Sequence, residues 1–269
     1  MLAQTESQIL MPPAAPVTRS APRTVSPQEY QARVDLAACY RLMDHYGMTD
    51  LLANHITSRV PGTHDQFLLN AYGFHYAEVK ASNLVVIDID GDIIDNPTPE
   101  YFVSKPGYVI HSAIHAARPD VLCIIHTHTR AGTAVSAMDC GLLPISQQAL
   151  KFYNRLGYHD YEGPAVDEAE REKLVEDLGP HNALVLRNHG LLTCGRTVSE
   201  AFHNMYLLET ACKIQVDVLA SGQKPVPIPE EVCERSARVY ESAGGHVLGT
   251  YEWPTHLRTI DAKDSSFRN

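Results

Sequence analysis

The chain is short of positive charge. Of its 269 residues, 22 are lysine or arginine and 32 are aspartate or glutamate, which gives a formal charge of -10 with histidine neutral. No basic run interrupts that balance. The footprint of a nucleic-acid binder, or of a protein held on an anionic membrane, is therefore excluded. Long apolar runs are missing as well. None approaches the roughly 20 residues of a transmembrane helix, and Met1 to Thr24 has no basic segment followed by a long apolar one. There is no Cys-x-x-Cys pair. Cys39, Cys123, Cys140, Cys194, Cys212 and Cys233 are scattered, mostly in apolar segments. That pattern points to packed, reduced thiols in a cytoplasmic protein and away from disulfides or a thiolate metal site. Hydrophobic residues, by contrast, make up 44% of the chain, enough for one sizeable core in a single domain.

Residues 1–25 are rich in proline, alanine, serine and threonine and lack a periodic apolar face, so a disordered or extended arm is expected. The domain proper is expected over 26–245. It opens with Ser26-Pro27-Gln28-Glu29, a capping-box start to a helix that Gly47 stops. Strands are expected over Asn54–Val60, Phe67–Asn70 and Leu84–Asp90, the last followed by a Gly91-Asp92 turn. Helices follow over Tyr108–Arg118, Thr133–Met138, Pro144–Tyr153 and Asp167–Leu178. A second capping box, Thr197 to Glu200, opens a long helix to about Ser221, and a last helix spans Glu230–Gly244. Tyr158 to Pro164 reads as a polar, aromatic loop. The tail over 246–269 has little apolar content and is expected to pack on a neighbouring subunit.

Histidine placement carries the chemistry. Val121 to Ile125 is a β-branched run ending in His126-Thr127-His128, and residues two apart on a strand point to one face. Taken alone, His-x-His is equally compatible with two polar residues meeting solvent at a strand end. A third histidine, His189, follows the apolar run Asn182–Arg187 and precedes Gly190, which permits a tight turn or a close approach to a neighbour. Three neutral imidazoles suit zinc first, and manganese, iron or cobalt as well, with a position left open for water or substrate. His111 and His115 stand four apart on one helical face, a known ligand spacing, but no glutamate sits beside His111. Their expected role is to pack beneath the site and position a strand by an imidazole hydrogen bond.

Four marks in order, Ala117-Arg118-Pro119-Asp120, His126-Thr127-His128, Asn188-His189-Gly190 and the long helix after it, resemble the class II aldolase and adducin-head family over roughly Glu29 to Gly222. The stretches Ser136–Ser146, Tyr158–Tyr161 and Val185–Gly190 look more like the adducin head than like the sugar-phosphate aldolases. The resemblance implies an α/β fold of three layers, a mostly antiparallel central sheet flanked by helices. It also implies a homotetramer with active sites between subunits, and His126, His128 and His189 as ligands of a divalent metal ion. Two departures stand out. The catalytic glutamate of the sugar-phosphate enzymes, four residues before His111, is Gly107 here, and their phosphate-holding serines are replaced by Lys105 and Pro106. Glu100, seven residues earlier, is the nearest substitute carboxylate.

The expected function is a metal-dependent lyase acting on a small hydroxy-carbonyl or 2-oxo acid. It would work by retro-aldol cleavage or by decarboxylation through a metal-stabilised enolate. Loss of carbon dioxide needs no base to start it and so tolerates Gly107. Lys105 could hold a carboxylate as a point charge, and Tyr161 is the candidate proton donor, because a phenol ordinarily keeps its proton at neutral pH. Asn54, Asn70 and Gly73, with Lys105, make up the candidate substrate-binding set. The alternatives are a non-catalytic, adducin-like assembly module and a metal-dependent oxygenase on the same scaffold.

Overall fold

The computed structural model describes residues 24–163, 168–242 and 245–269; the side chains of 105–107 and 168–170 lie outside that description. The arm expected over 1–25 falls almost entirely outside the described residues. Eight strands form one sheet: β1 (His55–Arg59), β2 (Gln66–Asn70), β3 (Leu84–Asp88), β4 (Ile93–Asp95), β5 (Cys123–Thr127), β6 (Gly157–His159), β7 (Ala183–Leu186) and β8 (Gly190–Gly195). Their order is β4-β3-β2-β1-β5-β8-β7-β6. Every pair is antiparallel except β6 with β7.

Helices cover both faces, and the alternation of the strands shows why. On β5, Cys123 and Ile125 join a cluster with α1 (Pro27–His45) and α6 (Val198–Ala220), whose Leu36, Tyr40, Phe202 and Met205 are fully buried. Ile124 points the other way, to Ile110 and Ile114 of α2 (Lys105–Ala117) and Leu174 and Leu178 of α5 (Glu168–Leu178). A sheet buried on two faces needs apolar residues at consecutive positions, which is why the central strands read as runs and not as alternation.

The helix ends follow local chemistry. Ser26 Oγ accepts from the Glu29 amide at 3.1 Å. Thr197 Oγ accepts from Glu200 N at 3.1 Å, but the Glu200 carboxylate reaches one residue further back, to Arg196 N at 2.7 Å, so the second box closes on Arg196. Where two short helices were expected, the structure differs. α3 spans Arg130–Ser136, beginning directly behind His128, and only one turn, α4 (Gln147–Leu150), forms after Ser146 caps it. The Tyr158–Pro164 loop contributes its first residues to β6, an edge strand too short to show a period.

The tail finds its surface within its own chain. α7 (Glu230–Ser242) precedes α8 (Trp253–Asp261) and a 3-10 turn over Ser265–Arg268, and these last two pack on α1. Trp253 Nε1 donates to Asp35 Oδ1 at 2.9 Å, Arg41 pairs with Asp264 at 3.1 Å, and Phe267 is fully buried. A tail poor in apolar residues folds here because α1 offers it a ready-made apolar wall. Phe267→Ala should accordingly lower the unfolding free energy by about 3–5 kcal/mol in urea titrations, as for a buried aromatic truncation.

Candidate metal centre

The three expected ligands meet at one end of the sheet. His126 is the second-last residue of β5, His128 follows the strand, and His189 sits in the turn from β7 to β8. β8 runs antiparallel to β5 with Leu191 opposite Thr127, which brings the His189 turn beside the end of β5. Asn188 takes the left-handed conformation, φ 56°, to make that turn. Of the two roles open to Gly190, close approach is the one realised: a Cβ there would collide with the Thr127 carbonyl oxygen.

His128 Nε2 lies 2.8 Å from His126 Nε2 and 2.9 Å from His189 Nε2. The other ring nitrogens fix the tautomers. His126 Nδ1 is 2.9 Å from the Leu191 carbonyl, which can only accept, so this nitrogen carries the hydrogen. His128 Nδ1 faces Asp50 Oδ2 at 3.3 Å with the same consequence. While both rings are neutral, both Nε2 atoms then present lone pairs to each other, and two acceptors at that separation repel. A cation between them converts the repulsion into ligation, and partners on the far nitrogens are what metal-bound imidazoles have. The donor set therefore fits a divalent metal. No other group of three or more potential metal donors is found among the described residues.

Neighbours hold this arrangement in place. Asn54 is buried, accepting from the His128 amide at 2.9 Å and donating to Met48 O at 3.1 Å, so both ends of its amide are committed to protein groups. Buried Glu209 accepts from Thr129 Oγ1 and from the Gly132 amide, pinning the start of α3 behind His128. Burial raises the Glu209 carboxyl above its ordinary range.

A second line of histidines runs beneath. His115 Nε2 and His111 Nδ1 each lie 2.8 Å from Thr57 Oγ1, and His111 Nε2 lies 3.0 Å from His55 Nδ1. The His55 ring stands 4.8 Å from that of His126, its partner across β1 and β5. The α2 histidines therefore do act from below, through Thr57 and His55. Reading the sequence missed both of these residues, although their spacing on an alternating strand puts them on one face. Asp50 and Glu209, reached from distant segments, left no local sign.

Tyr161 is exposed, with its ring 6.2 Å from that of His189. Lys105 opens α2 and Gly107 lies in its first turn, but the Lys105 side chain is outside the described residues. Asn70 and Gly73 lie at the same end of the sheet, two strands from β5 and thus roughly 10 Å to the side. Asn70 Oδ1 accepts from Tyr40 at 2.8 Å, and Gly73, φ 122°, lies under the Tyr101 ring. Glu100 is exposed in the turn before Tyr101.

The family model described as Class II Aldolase and Adducin N-terminal domain matches residues 34–216. An aldolase II superfamily protein from Pseudomonas syringae superposes with a TM-score of 0.87 at 46% identity, covering 91% of this chain and 98% of that one. L-fuculose 1-phosphate aldolase from Glaciozyma antarctica PI12 superposes with a TM-score of 0.81 at 26% identity, covering 94% and 97%. Alpha-adducin of Rattus norvegicus is 50% identical over 194 residues, 72% of this chain but only 26% of that protein.

Burial, first, and neighbouring imidazoles, second, hold His189 down at about 4, and His55, His111 and His126 are also pushed below the ordinary histidine value. His115 is held at about 3 by burial and by Arg59. Unfolding frees these rings to take up protons, so the unfolded chain binds more protons below about pH 6.5. The metal-free protein should lose stability progressively from about pH 6.5 to 4 and be flat near pH 8, which urea titrations across that range would read. Thr57→Val strands His111 Nδ1 and His115 Nε2 and should cost about 1–3 kcal/mol in the same assay at pH 8.

Proposed function

Because this chain belongs to the class II aldolase and adducin family, we propose that it is a metal-dependent lyase acting on a small hydroxy-carbonyl or 2-oxo acid. The observation that carries the reading is the convergence of the His126, His128 and His189 Nε2 atoms with the far nitrogens of His126 and His128 already engaged. Zinc is the ion we assign first, with manganese, iron or cobalt fitting the same donors. When bound, such an ion polarises a substrate carbonyl as a Lewis acid.

The chain's own groups do the rest. Tyr161, exposed beside His189, delivers a proton to the carbon left with the electron pair when the carbon–carbon bond breaks. Lys105 at the head of α2 holds a substrate carboxylate by charge. Asn54 keeps His128 in register, and the Thr57–His111–His55 line fixes the orientation of the His55 ring at the edge of the site. With glycine at 107, loss of carbon dioxide is favoured over a cleavage that must begin by removing a hydroxyl proton. We place the protein in a reducing cytoplasm, in keeping with six free cysteines. We take its assembly to be a homotetramer with sites near subunit boundaries, consistent with the exposed position of Tyr161. Among the described residues no helix is long and apolar enough to cross a membrane.

The identity to alpha-adducin supports a second reading, an assembly module without catalysis. Metal content separates the two. Protein purified without added metal should carry close to one divalent ion per chain, and His128→Ala should carry none. Wild type that stays metal-free after incubation with zinc, manganese or iron(II) would sink the lyase. In metal-loaded protein, Tyr161→Phe should slow turnover of 2-oxo acids by about 10²–10⁴-fold with little change in KM, the usual loss for a general acid.

A further inference from the structure

At the far end of β7 and β8 from the metal centre, roughly 20 Å along the strands, lies a cavity of about 190 Å³ between α4, α6 and α7. Its volume is below the ~300–1,000 Å³ of drug-sized sites, so it suits a small metabolite. Arg155, Arg196, Glu200, Glu241, Lys151 and Asn204 are among its lining residues. Four of these are held in ion pairs. Arg155 pairs with Glu234 and Glu241 at 2.8 Å, and Arg196 grips Glu200 at 3.1 Å.

Two groups remain. The Lys151 ammonium sits over the rings of Phe152, at 5.8 Å, and Tyr240, at 5.7 Å, with no carboxylate at ion-pair distance among the described residues. Asn204 is 2% exposed, and its Nδ2 donates to Cys194 O at 2.8 Å. That bond fixes the amide orientation and leaves Oδ1 buried with no hydrogen-bond partner. A buried acceptor in this condition is costly and calls for a donor. Burial also lowers the Lys151 amine to about 8, with Glu200 and Glu241 pulling the other way.

We propose that this cavity binds a small hydroxycarboxylate, its carboxylate accepting from the Lys151 ammonium and its hydroxyl donating to Asn204 Oδ1. A plain anion satisfies only the lysine, and a neutral alcohol only the asparagine; one molecule carrying both groups satisfies the pair. The site is separate from the three histidines and does not depend on the lyase reading.

Isothermal titration calorimetry at fixed ionic strength tests it, with lactate, propionate and inorganic phosphate as probes and His128→Ala protein as the background that removes the metal centre. Lactate should bind His128→Ala as tightly as wild type, and Lys151→Met should weaken it roughly tenfold or more, as for loss of one charge-assisted hydrogen bond. Propionate, lacking the hydroxyl, should bind several-fold more weakly than lactate, and Asn204→Ala should erase that difference. If Asn204→Ala fails to fold, the lactate-to-propionate ratio in Lys151→Met and wild type still carries the test. Lactate binding lost in His128→Ala but kept in Lys151→Met would overturn the proposal, as would phosphate binding equal to lactate, or no saturable binding of any probe.

Discussion

The rest of the structure is arranged around a repulsion. His128 Nε2 stands at hydrogen-bond distance from both His126 Nε2 and His189 Nε2, and while the rings are neutral the His126 and His128 nitrogens have no hydrogen to share, because Leu191 and Asp50 hold the hydrogens on the opposite side of each ring. A fold can keep such an arrangement only by over-determining it. The antiparallel pairing of β5 with β8, the Asn54 clamp on the His128 amide and the Glu209 anchor at the start of α3 each remove a direction in which the rings could relax. The site is pre-organised for a cation because everything that would let it disperse has been tied elsewhere.

The buried line from His115 through Thr57 and His111 to His55 obeys the same logic with opposite sign. Each contact there is attractive, and the low polarity around it strengthens every hydrogen bond while keeping the rings neutral. Since a hydroxyl can donate only one hydrogen, Thr57 donates to one histidine and accepts from the other. The tautomers of all three rings are therefore linked: shifting the proton on one requires shifting all.

The sequence made the cluster of three histidines legible because strand period and a following glycine are local signals. His126 and His128 share a face by parity, and Gly190 marked the place where two backbones meet. The two-sided burial of the sheet was readable from consecutive apolar residues in β5 and β7. What escaped was assembled by pairing between distant segments. His55 and Thr57 lie 54 to 58 residues before the α2 histidines they touch, and Asp50 lies 78 before His128. Nothing in their own neighbourhoods distinguishes them from ordinary strand and turn residues. The tail's contacts with α1 were hidden for a related reason: its partners there lie more than 200 residues away.

Gly190 also alters how a distant homologue should be judged. Histidines persist on many scaffolds for reasons unrelated to metals, and a conserved-looking triad can be an inert remnant. A glycine whose missing side chain is demanded by the Thr127 carbonyl has a narrower meaning, since it matters only while β8 must press against the end of β5. A chain of this fold with a larger residue at that place has to move β8 away from the Thr127 carbonyl, and the turn that carries the third histidine with it. For deciding which members can still hold an ion, the residue with no side chain is the more telling one to inspect.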